Sequence, residues 1–196
     1  MSEYSYEEGR LNLPFVGFCT FAKSPVCQDW DDIKADVAVL GVPNDMGTQY
    51  RSGCRLGPRS IREASTLFSF GHGGAYDHED DRTYLTDEQV RIVDIGDADI
   101  IHTDQTRSHA NTEEAVRKIL SAGAMPLILG GDHSITSPAL KAYDQSGPIH
   151  VVQIDAHLDF FSAVRTDDRP DPDFPRFVGP FLEKRVQILT HLTTSP

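Results

Sequence analysis

Apolar positions along the chain gather into four short runs, each closed by glycine or a polar turn. The first is Asp36-Val-Ala-Val-Leu-Gly-Val42, β-branched and stopped at Gly41 and Pro43, which predicts a buried strand rather than a helix. The second is Val90-Arg-Ile-Val-Asp-Ile95, stopped by Gly96. The third runs from Met125 to Leu129 and ends in Gly130-Gly131. The fourth is Ile149-His-Val-Val-Gln-Ile154. Helical spacing fills the intervals. Pro58 opens a helix through Ser65, with proline at the first helical position. Thr112 to Ala122 predicts a second helix, capped by Asn111 or Thr112 and stopped by Gly123. Ser134 to Tyr143 predicts a third, with Pro138 in its first turns. Strands alternating with helices imply a parallel sheet covered on both faces, the third and fourth strands joined as one βαβ unit.

Outside these runs the pattern weakens. Residues 1–35, broken by Pro14 and Pro25, read as an N-terminal arm on the surface. Residues 36–161 form the α/β domain. Residues 71–89 carry glycine, histidine and acids and read as a long loop. Residues 162–196 form a divergent tail. Its stretch Thr166–Pro175, with three prolines and four aspartates, suits neither a central strand nor a helix interior. One short helix is expected between Val178 and Thr194.

Two segments carry candidate chemistry: Gly130-Gly-Asp-His-Ser134 and Asp155-Ala-His-Leu-Asp159. Each follows an apolar strand immediately, and the carboxyl ends of parallel strands are where ligands bind. A right-handed crossover brings both ends to one edge of the sheet, so His133 is expected to meet the Asp155 cluster. In extended chain, alternate residues face one way about 6.6 Å apart. Asp155, His157 and Asp159 then present two carboxylates and an imidazole to one side, with His133 adding a second imidazole. That donor set suits Mn²⁺, with Zn²⁺ or Fe²⁺ as alternatives and Ni²⁺ less expected. The spread fits two metals about 3.5–4 Å apart better than one. The bland reading of a lone Asp-x-His is a cap or turn; two such clusters joined by one crossover argue for a site. Asp132 reads as a helix cap or as a group orienting a ligand. Asp94, Asp97 and Asp99 read as turn or cap residues, and Arg51, Arg55, Arg59 and Arg62 as surface salt-bridge partners. His72 and His78 read as solvated, and His102, His109 and His150 lack partners at ligand spacing.

Composition narrows the partners. Thirty acidic against 18 basic residues give a net charge of −12, which disfavours nucleic acid and favours a small cation. No apolar run approaches the roughly 20 residues of a membrane span, and the N-terminus carries no signal-peptide pattern. Cys19, Cys27 and Cys54 form no Cys-x-x-Cys motif. They read as buried small hydrophobes in a reducing, cytoplasmic setting.

With these motifs in hand, the sequence resembles the ureohydrolase family of arginases, agmatinases and guanidino-acid hydrolases. The resemblance runs from about residue 36 to 160. It includes Val39-Leu-Gly-Val-Pro43, Gly47-Thr-Gln-Tyr-Arg51, Gly57-Pro-Arg-Ser-Ile-Arg62 and Val93-Asp-Ile-Gly-Asp97, besides the two segments above. The early motifs look more like the agmatinase and guanidino-acid branch. The resemblance implies a three-layer α/β/α fold and two Mn²⁺ ions. It implies hydrolysis of a guanidino group, in agmatine or a related compound, to urea and an amine, a reaction of polyamine metabolism. It matches His133, Asp155, His157 and Asp159 to metal ligands and suggests a ring of subunits.

The chain stops before the further Asp-x-Asp strand of that family, and Phe161 to Arg176 hold no histidine to shuttle protons. The expectation is therefore a truncated member, incomplete at the C-terminal side of the sheet, with impaired activity and no assignable catalytic residue. The alternative is a non-catalytic fragment or a partner subunit of a complete homologue. A metallophosphoesterase ranks lower, because there an Asp-x-His segment precedes the Gly-Asp one.

Overall fold

The computed structural model describes residues 14–68, 74–147, 149–155 and 186–190. Its centre is strand β1, Val37–Val42, buried along almost its whole length. β1 pairs in parallel with β4, Ile92–Asp97, on one side and with β5, Met125–Gly130, on the other, giving the order β4-β1-β5. A central strand of a parallel sheet is covered on both faces, which is why β1 reads as a continuous apolar run. Ala38, Val39, Leu40 and Val42 are all fully buried, Leu40 alone contributing about 1.5–3 kcal/mol through its burial.

Among the described residues, three α-helices serve this sheet. α1, Gly57–Ser65, starts with proline in its first turn as the sequence predicts. α2, Gln105–Ser121, supplies Ala115, Val116 and Ile119 to the core. α3, Thr136–Lys141, follows a single 3-10 turn over His133–Ile135. α2 begins well before the expected Thr112, because the cap is Asp104, whose carboxylate accepts from the Arg107 amide at 2.9 Å. It ends at Gly123, which takes the left-handed backbone (φ +76°) that only glycine adopts without strain. None of the described helices is long and apolar enough to cross a membrane.

Other elements depart from the sequence reading. Part of the expected 71–89 loop is an antiparallel hairpin, β2 (Ala75–Asp77) with β3 (Arg82–Tyr84). The fourth predicted strand exists as β6, Ile149–Gln153, but its hydrogen-bonded neighbour is not β5. It pairs in parallel with β7, Val186–Thr190, across five residue pairs. The helix expected within 178–194 is thus a strand over Val186–Thr190, where Val-Gln-Ile-Leu-Thr favours extended backbone. The Thr166–Pro175 stretch lies outside the described residues.

The N-terminal segment is not a surface arm from residue 20 onward. Cys27 and Ile33 belong to the core. Val26 bridges Asp94 in parallel, with Cys27 N donating to Asp94 O and Asp94 N to Pro25 O, both at 2.9 Å. This segment seals the outer edge of β4, and the Trp30 indole ties it again by donating to Ile95 O at 2.9 Å. Lys23 is buried with its ammonium donating to the carbonyls of Val16 and Phe18. Of the cysteines, Cys27 alone is buried; Cys19 and Cys54 are exposed, against the expectation of burial.

Candidate metal centre

The carboxyl ends of β1 and β5 lie side by side, with Val42 opposite Gly130 in register. Each strand hands on to a turn, and the two turns interlock. Gly131 sits so close that an added Cβ would fall 2.3 Å from Val42 O and 2.6 Å from Asn44 O. Only a residue without a side chain lets the backbones meet there. The Asp132 amide donates to Asn44 O at 2.8 Å.

Asp132 caps the 3-10 turn as one of its two readings anticipates. Its Oδ1 accepts from Ser134 N at 2.8 Å and from Ser134 Oγ at 2.5 Å, and its Oδ2 accepts from Gly47 N at 2.7 Å. That carboxylate therefore holds the turn that carries His133, and ties it to the loop after β1.

The loop after β1 is closed by its own ion pair. Arg55 grips Asp45 with two hydrogen bonds, Nε to Oδ2 at 2.8 Å and Nη2 to Oδ1 at 2.6 Å, and Gly53 N adds a third at 2.9 Å. The Arg55 guanidinium, opposed by burial, holds the Asp45 carboxyl below its ordinary range. Tyr50 and Arg51, at the exposed tip, stack cation on ring at 5.2 Å.

His133 leaves this platform from the β5 side and Asp155 from the end of β6. His133 Nδ1 stands 3.7 Å from Asp155 Oδ2, with both side chains about a third exposed. So the structure brings together the two candidates that the crossover argument places together, although β6 does not border β5. Among the described residues no group of three or more metal-ligating side chains forms. His157 and Asp159, the other two candidates, lie outside the described residues.

The two described donors pass a simple test. Metal–donor bonds of about 2.0–2.2 Å allow two ligands of one ion to stand up to about 4.4 Å apart. The observed 3.7 Å lies inside that limit. One imidazole nitrogen and one carboxylate oxygen, open to solvent, also suit a borderline-to-hard divalent ion.

Other candidates resolve differently. Asp94 and Asp97 are not simple turn residues, and Arg62 is not on the surface. Arg62 pairs with Asp94 through Nε (2.8 Å) and Nη2 (2.9 Å), and with Asp97 through Nη1 at 2.5 Å. This cluster fixes α1 to the carboxyl end of β4 and is structural. His78, His102 and His150 are exposed, and His72 lies outside the described residues. His109, on α2, is half-buried beside Gln105, and burial together with Lys141 lowers its pKa. The sequence reading missed Asn44, whose amide contacts Ser134 at 3.0 Å across 90 residues. Its only local signal is a place in the turn directly after the first strand.

Comparison with known proteins agrees with this architecture. The sequence model of the arginase family matches residues 35–171. Mitochondrial guanidino acid hydrolase from Homo sapiens is 37% identical over 145 residues, covering 74% of this chain and 39% of its own. The structure of a hypothetical agmatinase from Burkholderia thailandensis superposes with a TM-score of 0.65 at 32% identity, over 76% of this chain and 45% of that one. Formiminoglutamase from Trypanosoma cruzi, solved with Mn²⁺, superposes at 0.53 and 26% identity, over 65% of this chain and 41% of that one. The chain spans about two fifths of the length of the curated relatives it matches.

Proposed function

The chain belongs to the arginase family, and on that premise we propose that it hydrolyses the guanidino group of a small compound to urea and an amine. The observation that carries the reading is the approach of His133 to Asp155 at the carboxyl end of the parallel sheet. His133 and Asp155 would hold one Mn²⁺, with His157 and Asp159 extending the set to a second. Bound cations would supply a water of lowered pKa, so that the nucleophile exists near neutral pH.

The chain's own residues do the positioning. The Asp132 cap fixes the turn from which His133 projects. The loop clamped by Asp45 and Arg55 is tied to that turn through Gly47 N and Asp132. Water adds to the planar guanidinium carbon, the bond to the substituted nitrogen breaks, and the amine leaves with a proton. Agmatine and guanidino acids are the substrates we place first, since the relatives' names include both chemistries. The net charge of −12 supports attraction of a guanidinium cation. We place the protein in the cytoplasm, on the three free cysteines.

The test is urea release by the purified chain with added Mn²⁺, against agmatine, arginine, guanidinobutyrate and guanidine. Urea that disappears in His133→Ala and Asp155→Ala supports the reading. A folded chain, loaded with Mn²⁺, that releases none from the whole panel overturns it.

A second reading draws on β5. Among the described residues it is paired only by β1, and Met125 at its start is 59% exposed. An open strand edge is a template for another chain. A partner subunit of a longer homologue would use that edge, and co-purification with such a homologue would favour this reading over the catalytic one.

A further inference from the structure

We propose that Asn44 is a positioning residue for His133. The inference rests on the metal-dependent reading above and adds to it a residue from the opposite strand's turn. Asn44 holds both residues that flank His133. Its main-chain carbonyl accepts from Asp132 N at 2.8 Å. Its side-chain Nδ2 donates to Ser134 Oγ at 3.0 Å.

The direction of this chain is fixed by chemistry. Ser134 Oγ spends its one proton on Asp132 Oδ1, 2.5 Å away. What the hydroxyl then offers Asn44 is a lone pair, and the amide must turn its NH₂ toward it. The relay runs from Asn44 through Ser134 to Asp132, and Asp132 closes back onto Gly47 in Asn44's own loop. His133 lies between the two residues these contacts hold, and its imidazole faces Asp155 at 3.7 Å.

Asn44 is 1% exposed, and among the described residues its Oδ1 has no hydrogen-bond partner. A buried acceptor left unfilled is unfavourable, and an apolar side chain would avoid it. What the amide supplies is the NH₂ bond to Ser134. The consequence is that the β1 turn, which offers no metal-ligand candidate of its own, sets the orientation of the ligand carried by the β5 turn. Groups that orient a ligand from behind are worth about 10–100-fold in metal affinity. Asn44 acts through the peptide backbone, so about tenfold is expected.

The experiment measures Mn²⁺ affinity of the 196-residue chain from the free-Mn²⁺ electron paramagnetic resonance signal, at a temperature where every variant is folded. His133→Ala sets the baseline. Asn44→Ala and Ser134→Ala, which cut the same bond from opposite sides, are each expected to weaken binding about tenfold. The double variant is expected to be no worse than either single one, because the two act as one device. Should one variant fail to fold, the other carries the test. Parent-like affinity in both, with binding still dependent on His133, overturns the positioning role alone. Losses that multiply in the double variant overturn the relay. Absence of Mn²⁺ binding by the unaltered chain overturns the metal reading and this inference with it.

Discussion

Arg62 on α1 grips Asp94 on β4 through Nε and Nη2, 32 residues apart in sequence and nearly sealed from water, the two side chains 9% and 3% exposed. Asp94 also accepts from Phe21 N at 2.8 Å, so one carboxylate joins the helix, the sheet and the N-terminal segment. Removing one partner of a buried pair strands the other charge. Arg62→Ala is expected to destabilise the fold by about 3–5 kcal/mol, read from urea denaturation. A loss under about 1 kcal/mol would mean that water reaches the cluster. Arg62→Lys keeps the charge but not the fork, and should recover only part of the loss.

Asp45 and Arg55 predict an acid limb. The guanidinium keeps the Asp45 carboxyl below its usual range, so this pair's stabilisation is complete above about pH 4. It is lost as pH falls through the lowered folded value. Arg55→Gln should shift the acid unfolding midpoint, followed by circular dichroism from pH 5 to 2, toward higher pH. Superimposable curves would show that the loop closes without the pair.

His109 predicts a second limb nearer neutrality. Burial, reinforced by the Lys141 charge and opposed by Asp132, disfavours the imidazolium in the folded chain. Its stabilising contribution is full above about pH 6.5 and declines as pH falls through the lowered value. The melting temperature of His109→Gln should therefore fall less than the parent's between pH 7.5 and 5. Parallel falls would assign the pH dependence to other groups.

Gly131→Ala tests the contact between the two turns. Its Cβ would meet two main-chain oxygens, Val42 O and Asn44 O, neither of which can swing aside as a side chain would. Overpacking of this kind destabilises by about 1–3 kcal/mol. Because the strain falls at the base of the His133 turn, Mn²⁺ affinity should drop as well. A fully stable variant with unchanged Mn²⁺ binding would contradict the close packing described here.

Mn²⁺ itself should raise the melting temperature of the unaltered chain. Binding to the folded state alone stabilises by about 2.7 kcal/mol when free metal is 100 times Kd. Chelation should reverse the shift, and Asp155→Ala should abolish it. A shift that survives in Asp155→Ala would place the ion elsewhere.

Much of the central sheet is legible in the sequence because β1, β4 and β5 are short apolar runs ending at glycine or a turn, a pattern that burial demands most strongly of the central strand β1. The start of α2 is not legible, because its buried face uses Ser108 and Thr112, which carry no hydrophobic signal. Their hydroxyls are satisfied by main-chain carbonyls of Asp104 and Ser108. The hairpin is equally silent, being held by polar contacts such as Tyr76 Oη to Asp81 and Tyr84 Oη to Asp80. The meeting of His133 with Asp155 is anticipated by the crossover argument, although β6 pairs with β7 rather than entering the sheet beside β5. The pairing of Asn44 with Ser134, or Arg62 with Asp94, depends on how separate segments pack, and no local periodicity encodes it.

The segment that seals β4 also orders events in time. Cys27 and Pro25 bond to Asp94, which leaves the ribosome about 70 residues later, several seconds at roughly 5–20 residues per second. Until then the buried lysine, Lys23, and the core cysteine have no sheet to join. These residues therefore become native only once β4 has been made, well after their own synthesis. A nascent chain arrested before β4 would keep Cys27 open to thiol reagents, whereas the finished protein hides it.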